Sequence, residues 1–232
     1  MALIGTAGWT IPARYQGQFP ATGTHLERYA TRLTAVEINS SFYRPHQHKT
    51  YARWAASVPD DFRFAVKVPR SITQTHRLKN YGDLLARFGE EVSGLEGKLG
   101  VLLAQLPPSL AYDADAAQAF FQDLRKIGST ACEPRHASWF TPQVDAALRK
   151  LKVARVAADP PRASGDSEPG GWRGFAYWRL HGSPKIYYSD YPQATLKTLA
   201  PKLGPQDWCI FDNTAAFAAT GNALALTALT AA

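Results

Sequence analysis

The segment Ala35-Val36-Glu37-Ile38-Asn39 has the pattern of a short β-strand, with β-branched side chains on one face and polar ones on the other. A loop and a helical pattern near residues 49–57 follow it. Short apolar runs that alternate with helical patterns are typical of parallel strands joined by crossover helices. This segment therefore predicts an α/β fold.

Seven further runs repeat this arrangement along the chain. They lie at residues 3–7, 63–68, 99–106, 129–133, 154–159, 175–181 and 208–211. Eight strands with crossover helices predict a single (β/α)8 TIM-type barrel over residues 1–232, although an open doubly wound sheet would give the same pattern. Residues 160–174 are rich in Pro, Gly and Ser, and they predict an irregular loop in place of the sixth helix. That loop is either a surface excursion or a lid over a pocket.

The composition is that of a globular chain with a core and a cationic surface. The 232 residues are 45% hydrophobic, and the formal net charge is +7. The charge favours a small polar or anionic ligand, and nucleic acid is a second candidate partner. The isolated cysteines, and the lack of a signal peptide or a long apolar run, predict a reduced cytoplasmic protein with no membrane partner.

Polar side chains recur at the carboxyl ends of the predicted strands. Because alternate residues share a face, Glu37 and Asn39 point to the same side. The helices need apolar partners, so these polar residues are expected to face the barrel interior. The same alternation places further polar residues inward: Lys67, Gln105, Glu133, Asp159, Tyr177, Arg179, His181 and Asp212.

The active sites of such barrels lie at the carboxyl ends of the strands, which gives these residues candidate roles. The candidate catalytic residues are Glu37, Glu133, His181 and Asp212. The candidate substrate-binding residues are Asn39, Tyr43, Lys67, Arg70, Gln105, Arg135, His136, Trp139, Arg179 and Asn213. A hydrogen-bonded polar plug of the barrel is the structural alternative for these side chains.

No compact motif identifies a cofactor. Four acids and a histidine at strand ends (Glu37, Glu133, Asp159, Asp212 and His181) would allow a divalent metal, but no H-E-x-x-H motif occurs. No G-x-S-x-G, P-loop or G-x-G-x-x-G motif occurs either, which disfavours a hydrolase elbow and the standard nucleotide sites.

Seven blocks spread along the chain resemble the YecE-like family, also called domain of unknown function 72. They are GTAGW at 5–9, VEINSSFY at 36–43, FAVKVPR at 64–70, QLPPS at 105–109, EPRHASW at 133–139, RLHG at 179–182 and FDNT at 211–214. The resemblance implies a (β/α)8 barrel and brings no settled activity. One departure is Gln74, which stands where the family usually has a histidine, with His76 two residues later.

Three functional hypotheses follow. The first is a hydrolase- or lyase-like enzyme that acts on a polar small molecule, with or without a phosphate group, and uses Glu133 or Glu37 as general base. The second is a nucleic-acid-binding protein or a metal-dependent phosphodiesterase. The third is a non-catalytic ligand-binding barrel. The oligomeric state is left open.

Overall fold

The computed structural model describes residues 1–161 and 167–231. Its strands are Leu3–Thr6 (β1), Ala35–Ile38 (β2), Arg63–Lys67 (β3), Leu99–Gln105 (β4), Thr130–Glu133 (β5), Val153–Arg155 (β6), Ala157–Asp159 (β7), Gly170–Gly171 (β8), Tyr177–Leu180 (β9) and Trp208–Phe211 (β10). One sheet has the order β1-β10-β9-β7, and the other has the order β2-β3-β4-β5-β6-β8. Every pairing is parallel except that of β6 with β8. The predicted α/β class with parallel strands is confirmed.

The helices follow the strands along the chain. They are His25–Ala30 (α1), His48–Ala56 (α2), Gly82–Val92 (α3), Ala114–Ile127 (α4), Pro142–Lys150 (α5), Gln193–Leu199 (α6) and Ala218–Thr230 (α7). Polar side chains fix several of their starts. Thr24 and Glu27 form a reciprocal capping box on α1, and Asp113 accepts a hydrogen bond from the Ala116 N–H at the start of α4. These caps satisfy backbone N–H groups in the first turn of α1 and α4.

Two apolar layers lie on the opposite faces of the sheets. The inner layer joins side chains of both sheets: Ala35, Ala65, Val101, Leu103, Ala131, Ala154, Val156, Phe175, Tyr177, Trp208 and Ile210. The outer layer lies against the helices and includes Val36, Phe64 and Trp178. The small alanines let the inner side chains of the two sheets come together, and the polar residues at the strand ends lie above this layer.

A tyrosine hydroxyl lies between the edge strands β1 and β2. The buried Tyr29 accepts a hydrogen bond from the Thr6 N–H at 2.9 Å and donates one to the Ala35 carbonyl at 3.0 Å. Beyond it, Ala7 and Glu37 form one parallel bridge, in which the Gly8 N–H donates to the Glu37 carbonyl at 2.9 Å. The hydroxyl therefore satisfies backbone groups that would otherwise be unpaired.

The sixth predicted strand is divided at Val156. Its first part, β6, pairs with β5, whereas its second part, β7, pairs with β9. Ala154 and Val156 belong to the inner layer, while Ala157 belongs to the outer layer. The expectation that Asp159 faces inward is therefore wrong: it shares the outward parity of Ala157 and lines a cavity with Trp178 and Leu180.

The segment at 160–174 contains the two-residue strand β8 and, within its described part, no helix. This agrees with the predicted irregular loop. Residues 162–166 lie outside the described residues, and the lid prediction falls on them. In the part of the chain that the structure describes, no helix is long and apolar enough to cross a membrane.

Candidate active site

Arg179 is the centre of a buried charged cluster. Its guanidinium donates from Nε to Glu37 Oε2 at 3.0 Å and from Nη2 to Glu37 Oε1 at 2.7 Å. Nη1 donates to Glu133 Oε2 at 3.1 Å, and Nη2 lies 3.1 Å from Asp212 Oδ2. One cation from β9 thus joins carboxylates on β2, on β5 and directly after β10. We call Glu37, Glu133, Arg179, His181 and Asp212 the Arg179 cluster.

His181 bridges two of the carboxylates. Its Nδ1 lies 3.0 Å from Asp212 Oδ2, and its Nε2 lies 3.1 Å from Glu133 Oε1. A neutral imidazole has only one N–H, so the two contacts are both hydrogen bonds only if an additional proton is on the ring or on one carboxyl group. The arrangement Asp212–His181–Glu133 is therefore able to hold and move a proton.

Glu37 and Glu133 also accept hydrogen bonds from side chains outside the cluster. The Tyr177 hydroxyl donates to Glu37 Oε2 at 2.9 Å, and the Gln105 amide donates to Glu133 Oε2 at 2.9 Å. Arg135 contacts Glu133 Oε1 through Nε and Nη2 at 3.3 and 3.2 Å, and 16% of its side chain is exposed. Arg135 thus extends positive charge from the buried cluster toward solvent.

The charges set the protonation of the acids. Burial acts to raise the pKa of Glu133, but Arg179 and His181 outweigh it and hold that pKa well below its usual value. The same competition lowers the pKa of Asp212, with burial opposed by Arg179 and by the hydrogen bond to His181. Both carboxyl groups are consequently ionised at neutral pH, and they act as acceptors rather than as acids.

Lys67 lies beside the cluster at the end of β3. The residue is 4% exposed, and its ammonium lies 4.1 Å from the centroid of the Phe42 ring. Among residues 1–161 and 167–231 no hydrogen bond or ion pair of this ammonium is found. Burial, assisted by Arg179, lowers the pKa of Lys67 to about 8 against the opposing effect of Glu37, Glu133 and Asp212. Among the described residues, the contact found for this ammonium is therefore an aromatic ring rather than a hydrogen-bond acceptor.

The loops after β2 and β3 carry exposed arginines and aromatic rings. Tyr43 and Arg70 are exposed on loops after β2 and β3, and with Phe42 and Arg44 they line a cavity of about 260 Å³. Neither Arg44 nor Arg70 has an ion pair with another described residue. Asn39, directly after β2, buries an Oδ1 that lacks a hydrogen bond from the described residues. These groups are available to a ligand.

Three other predicted residues are bound into the loops around the site. The His136 ring contacts Ser138 Oγ and accepts from the Ser138 N–H. Trp139 is buried, and its indole N–H donates to the Leu110 carbonyl. The Asn213 amide donates to the Ser189 carbonyl and to Asn222 Oδ1. Their observed contacts hold the loops that follow β5 and β10.

The structure separates Gln74 from His76. The Gln74 amide donates to the Gln105 carbonyl at 2.9 Å, so it lies between the carboxyl ends of β3 and β4. His76 is exposed and lines a different cavity of about 560 Å³ with Arg77, Lys79 and Trp139. Gln74, rather than His76, lies next to the Arg179 cluster through its contact with Gln105.

The donor set does not fit a divalent metal. Among the described residues no group of three or more His, Cys, Asp or Glu side chains is placed to hold one. Arg179 occupies the position between the carboxylates, and Asp159 lies on the other face of its strand. We therefore derive no chemistry that depends on a metal.

Two residues that the candidate assignments omitted contact the cluster. Tyr177 lies on the inward face of β9, and its parity with Arg179 was the signal for it. The Tyr187 ring lies 6.0 Å from the His181 ring, in a loop where Tyr187 has φ 70°. The aromatic residues near the strand ends include Tyr187, but an irregular loop has no periodicity from which its contact with His181 could be derived.

The fold and the site define an α/β protein that holds a buried charged cluster at the carboxyl ends of parallel strands. The chain belongs to the family described as Protein of unknown function DUF72, whose sequence pattern matches residues 3–232. The family resemblance seen in the sequence blocks is thereby confirmed.

Relatives and solved structures agree with this assignment. The UPF0759 protein YecE of Escherichia coli K12 is 30% identical over 142 residues, which are 60% of this chain and 50% of YecE. The UPF0759 protein YunF of Bacillus subtilis is 24% identical over 150 residues, 61% of this chain and 53% of YunF. The aligned region spans about half the length of these curated relatives.

Two crystal structures of DUF72 family proteins share the fold. The protein from Enterococcus faecalis V583 superposes with a TM-score of 0.82 at 20% identity, over 100% of this chain and 96% of that chain. The protein from Thermotoga maritima MSB8 superposes with a TM-score of 0.80 at 23% identity, over 100% of both chains. At these identities the likeness concerns the fold.

Proposed function

We propose that the two sheets form one closed (β/α)8 barrel with its active site at the carboxyl ends of the strands. The proposal is supported at both junctions between the sheets. At one, Tyr29 and the Ala7–Glu37 bridge connect β1 to β2. At the other, the Val156 N–H donates to the Cys132 carbonyl between the β6 and β7 pairings. In a closed barrel the amides of Gly8 and Val156 exchange with solvent as slowly as central strand amides, which hydrogen exchange tests.

We infer that the site belongs to a hydrolase- or lyase-like enzyme acting on a small, polar, anionic molecule. The observation that carries this inference is the Asp212–His181–Glu133 arrangement, in which a histidine contacts carboxylates through both ring nitrogens. Histidine is the side chain that most often serves as a general acid or base, and contacts at both nitrogens orient its ring for proton transfer. Arg44 and Arg70 on the rim are suited to a phosphate or carboxylate of the substrate.

The test is a substrate screen with matched variants. A panel of phosphomonoesters and hydroxy or oxo acids is incubated with the protein, and products are detected by mass spectrometry. We expect turnover of at least one compound to fall by about 100-fold or more in Glu133→Gln and Asp212→Asn, since each change removes a carboxylate that orients the acid–base group His181. Glu90→Gln, an exposed carboxylate remote from the cluster, is the control and keeps the wild-type rate.

Two results would contradict the enzyme proposal. Turnover that is the same in wild type, Glu133→Gln and Asp212→Asn would remove the proposed acid–base role. A compound that binds tightly and is recovered unchanged would support the non-catalytic ligand-binding alternative. Thermal unfolding of each variant shows whether loss of activity reflects loss of the fold.

A second candidate function, nucleic-acid binding, is favoured by exposed rings on the same side of the molecule. Tyr43, Tyr188 and Phe217 are 67%, 50% and 54% exposed, and they lie in loops after β2, β9 and β10. Exposed rings beside cations such as Arg44 and Lys185 are suited to stacking on bases of a single strand.

The salt dependence of binding tests this alternative. A short fluorescent single-stranded oligonucleotide should bind at low salt and dissociate steeply as salt rises, because phosphate contacts release counterions. Tyr188→Ala should weaken binding by about tenfold, in line with the loss of one stacking contact. Absence of binding at low salt, or binding that salt does not change, would contradict it.

A further inference from the structure

The amine of Lys67 is a buried nucleophile that the proposed acid–base chemistry does not use. It projects from the carboxyl end of β3, and its ammonium faces a Phe42 ring instead of a hydrogen-bond acceptor. Nearly every buried ammonium is paired, since an unpaired one costs free energy. An amine kept in this position without a hydrogen bond among the described residues therefore points to chemistry at the nitrogen.

We propose that Lys67 forms an imine with the carbonyl group of a small anionic aldehyde or oxo acid. This inference rests on the proposed function, because it names the substrate class of the same site. Buried lysines beside another cation are the ones that proteins use as imine-forming nucleophiles, since their neutral form is accessible near neutral pH.

The surroundings of Lys67 supply the conditions for this step. Arg179 from β9 and the surrounding low-polarity environment disfavour the ammonium form, whereas Glu37, Glu133 and Asp212 from β2, β5 and the end of β10 favour it. The balance keeps the pKa of the amine at about 8. About a tenth of the amine is then neutral at pH 7, compared with less than a thousandth for an unperturbed lysine.

A cavity that Phe42 shares, between the loops after β2 and β3 and helix α3, offers a place for the anionic end of the substrate. Phe42 contacts Lys67 and also lines the cavity of about 260 Å³ that contains Arg44 and Arg70. A two- to four-carbon oxo acid is small enough for this cavity. A guanidinium binds a carboxylate through two parallel hydrogen bonds, which fixes the orientation of the carbonyl relative to the amine.

Imine formation needs no external oxidant or reductant. The neutral Nζ attacks the carbonyl carbon, the C–N bond forms, and one Nζ proton passes through water to the carbonyl oxygen to give a carbinolamine. A second proton, taken from solvent, converts the hydroxyl group to water, and the nitrogen lone pair forms the C=N bond as the C–O bond breaks and water leaves. The product is a protonated imine, which keeps the other Nζ proton. Asp212, whose charge acts on the Lys67 amine, contacts His181 at 3.0 Å.

Reductive trapping with glyoxylate tests the proposal. Glyoxylate and sodium cyanoborohydride are added to the full chain near neutral pH; the reductant delivers hydride to an imine carbon and fixes the adduct. Peptide mass spectrometry then measures carboxymethylation at each lysine over time. We expect Lys67 to be labelled at least about tenfold faster than the exposed Lys49 and Lys150 in the same sample, because its neutral fraction is larger.

Matched variants complete the experiment. Lys67→Arg keeps the positive charge and removes the fast phase of labelling, whereas Lys49→Arg retains it. Arg70→Met should slow labelling of Lys67 several-fold while leaving Lys49 unaffected, because the carboxylate of glyoxylate loses a partner. The labelling rate of Lys67 should rise with pH and level off above pH 8, well below the range in which ordinary lysines become neutral.

The outcomes separate this inference from the proposed function. Labelling of Lys67 no faster than that of Lys49 and Lys150 overturns the imine proposal, even if turnover of another substrate depends on Glu133. Fast labelling of Lys67 supports the nucleophile. If no turnover is then sensitive to Glu133→Gln, the proposed acid–base enzyme fails while the reactive lysine stands.

Discussion

Arg179 and Glu37, which are 142 positions apart in the sequence, form a bidentate ion pair with both side chains fully buried. The pair joins a strand of one sheet to a strand of the other. The Arg179 guanidinium also contacts Glu133 and Asp212, so it faces three carboxylates. Burying these charges costs desolvation free energy, and removing one partner leaves the others unpaired.

Arg179→Met leaves three buried carboxylates without their common cation. We expect it to lower the free energy of unfolding by about 3–5 kcal/mol, the cost of breaking a buried ion pair from one side. Urea unfolding followed by circular dichroism measures the change, and Arg179→Lys serves as a second variant that retains a charge if the first fails to fold. The exposed Arg87, paired with Glu91, gives the control: Arg87→Met should cost less than about 1 kcal/mol. Equal effects of the two methionine variants would contradict the assigned role of Arg179.

The seam between β1 and β2 depends on one hydroxyl group. Tyr29→Phe leaves the Thr6 N–H and the Ala35 carbonyl without their partner, and we expect a loss of about 1–3 kcal/mol. Hydrogen exchange should show faster exchange of the Thr6 amide, while amides of β4 are unchanged. Tyr188→Phe, at an exposed ring, is the matched control and should change stability by less than about 0.5 kcal/mol. An unaltered Thr6 amide in Tyr29→Phe would show that the backbone pairs without the hydroxyl.

The sequence predicted the centre of the site better than its edges, for physical reasons. Strand alternation is local, so it placed Glu37, Glu133 and Arg179 on one face before any contact was known. The prediction was wrong at Asp159 because it took Ala157 as an inward residue. Ala154 and Val156 face inward, so alternation places Ala157 and Asp159 on the outer face. The insertion of Tyr29 between two strands depends on contacts distant in sequence, and no local pattern indicates it.

In the loops, one residue pattern is compatible with both a structural and a ligand-binding role. Trp139 and His136 follow Glu133 in a polar, aromatic block that suggested ligand contacts. In the structure the Trp139 indole N–H binds a loop carbonyl and the His136 ring binds Ser138. Ligand binding and loop packing use the same residue types, and loops lack the periodicity that would distinguish these two roles. Which aromatic ring faces a ligand is decided by tertiary packing.

Lowering the pH should reduce the free energy of unfolding, and protonation of Glu133 should contribute to this loss. Its pKa is lower in the folded chain than the ordinary value of 4.5, so its stabilising effect is complete above that value and is lost as pH falls toward the folded-state pKa. The free energy of unfolding of wild type and of Glu133→Gln should therefore differ most near neutral pH, and the difference should shrink as pH falls from 4.5 toward the folded-state pKa of Glu133. Urea midpoints at a series of pH values measure the convergence. Glu90→Gln should run parallel to wild type throughout, and a constant gap for Glu133→Gln would contradict the proposed cause.

We expect Lys67 to lower the stability of the folded protein at neutral pH. Its folded-state pKa of about 8 lies below the ordinary value of 10.5, so the folded chain binds fewer protons than the unfolded chain between these values. The contribution of Lys67 to stability therefore rises with pH across this window, by about 3 kcal/mol in total. Lys67→Met, of similar length and without charge, should be more stable than wild type at neutral pH by about 1–3 kcal/mol, with the difference shrinking as pH passes from 8 toward 10.5.

The comparison of Lys67→Met with wild type cancels the tyrosines and other lysines that titrate in the same range. Urea midpoints from neutral pH to pH 10 give both curves, and Lys49→Met, at an exposed position on α2, should follow wild type at every pH. A Lys67→Met variant that is less stable than wild type at neutral pH would mean that the ammonium is well solvated or paired. The stability gain and the loss of glyoxylate labelling should occur in the same variant, because both follow from removing one unpaired buried amine.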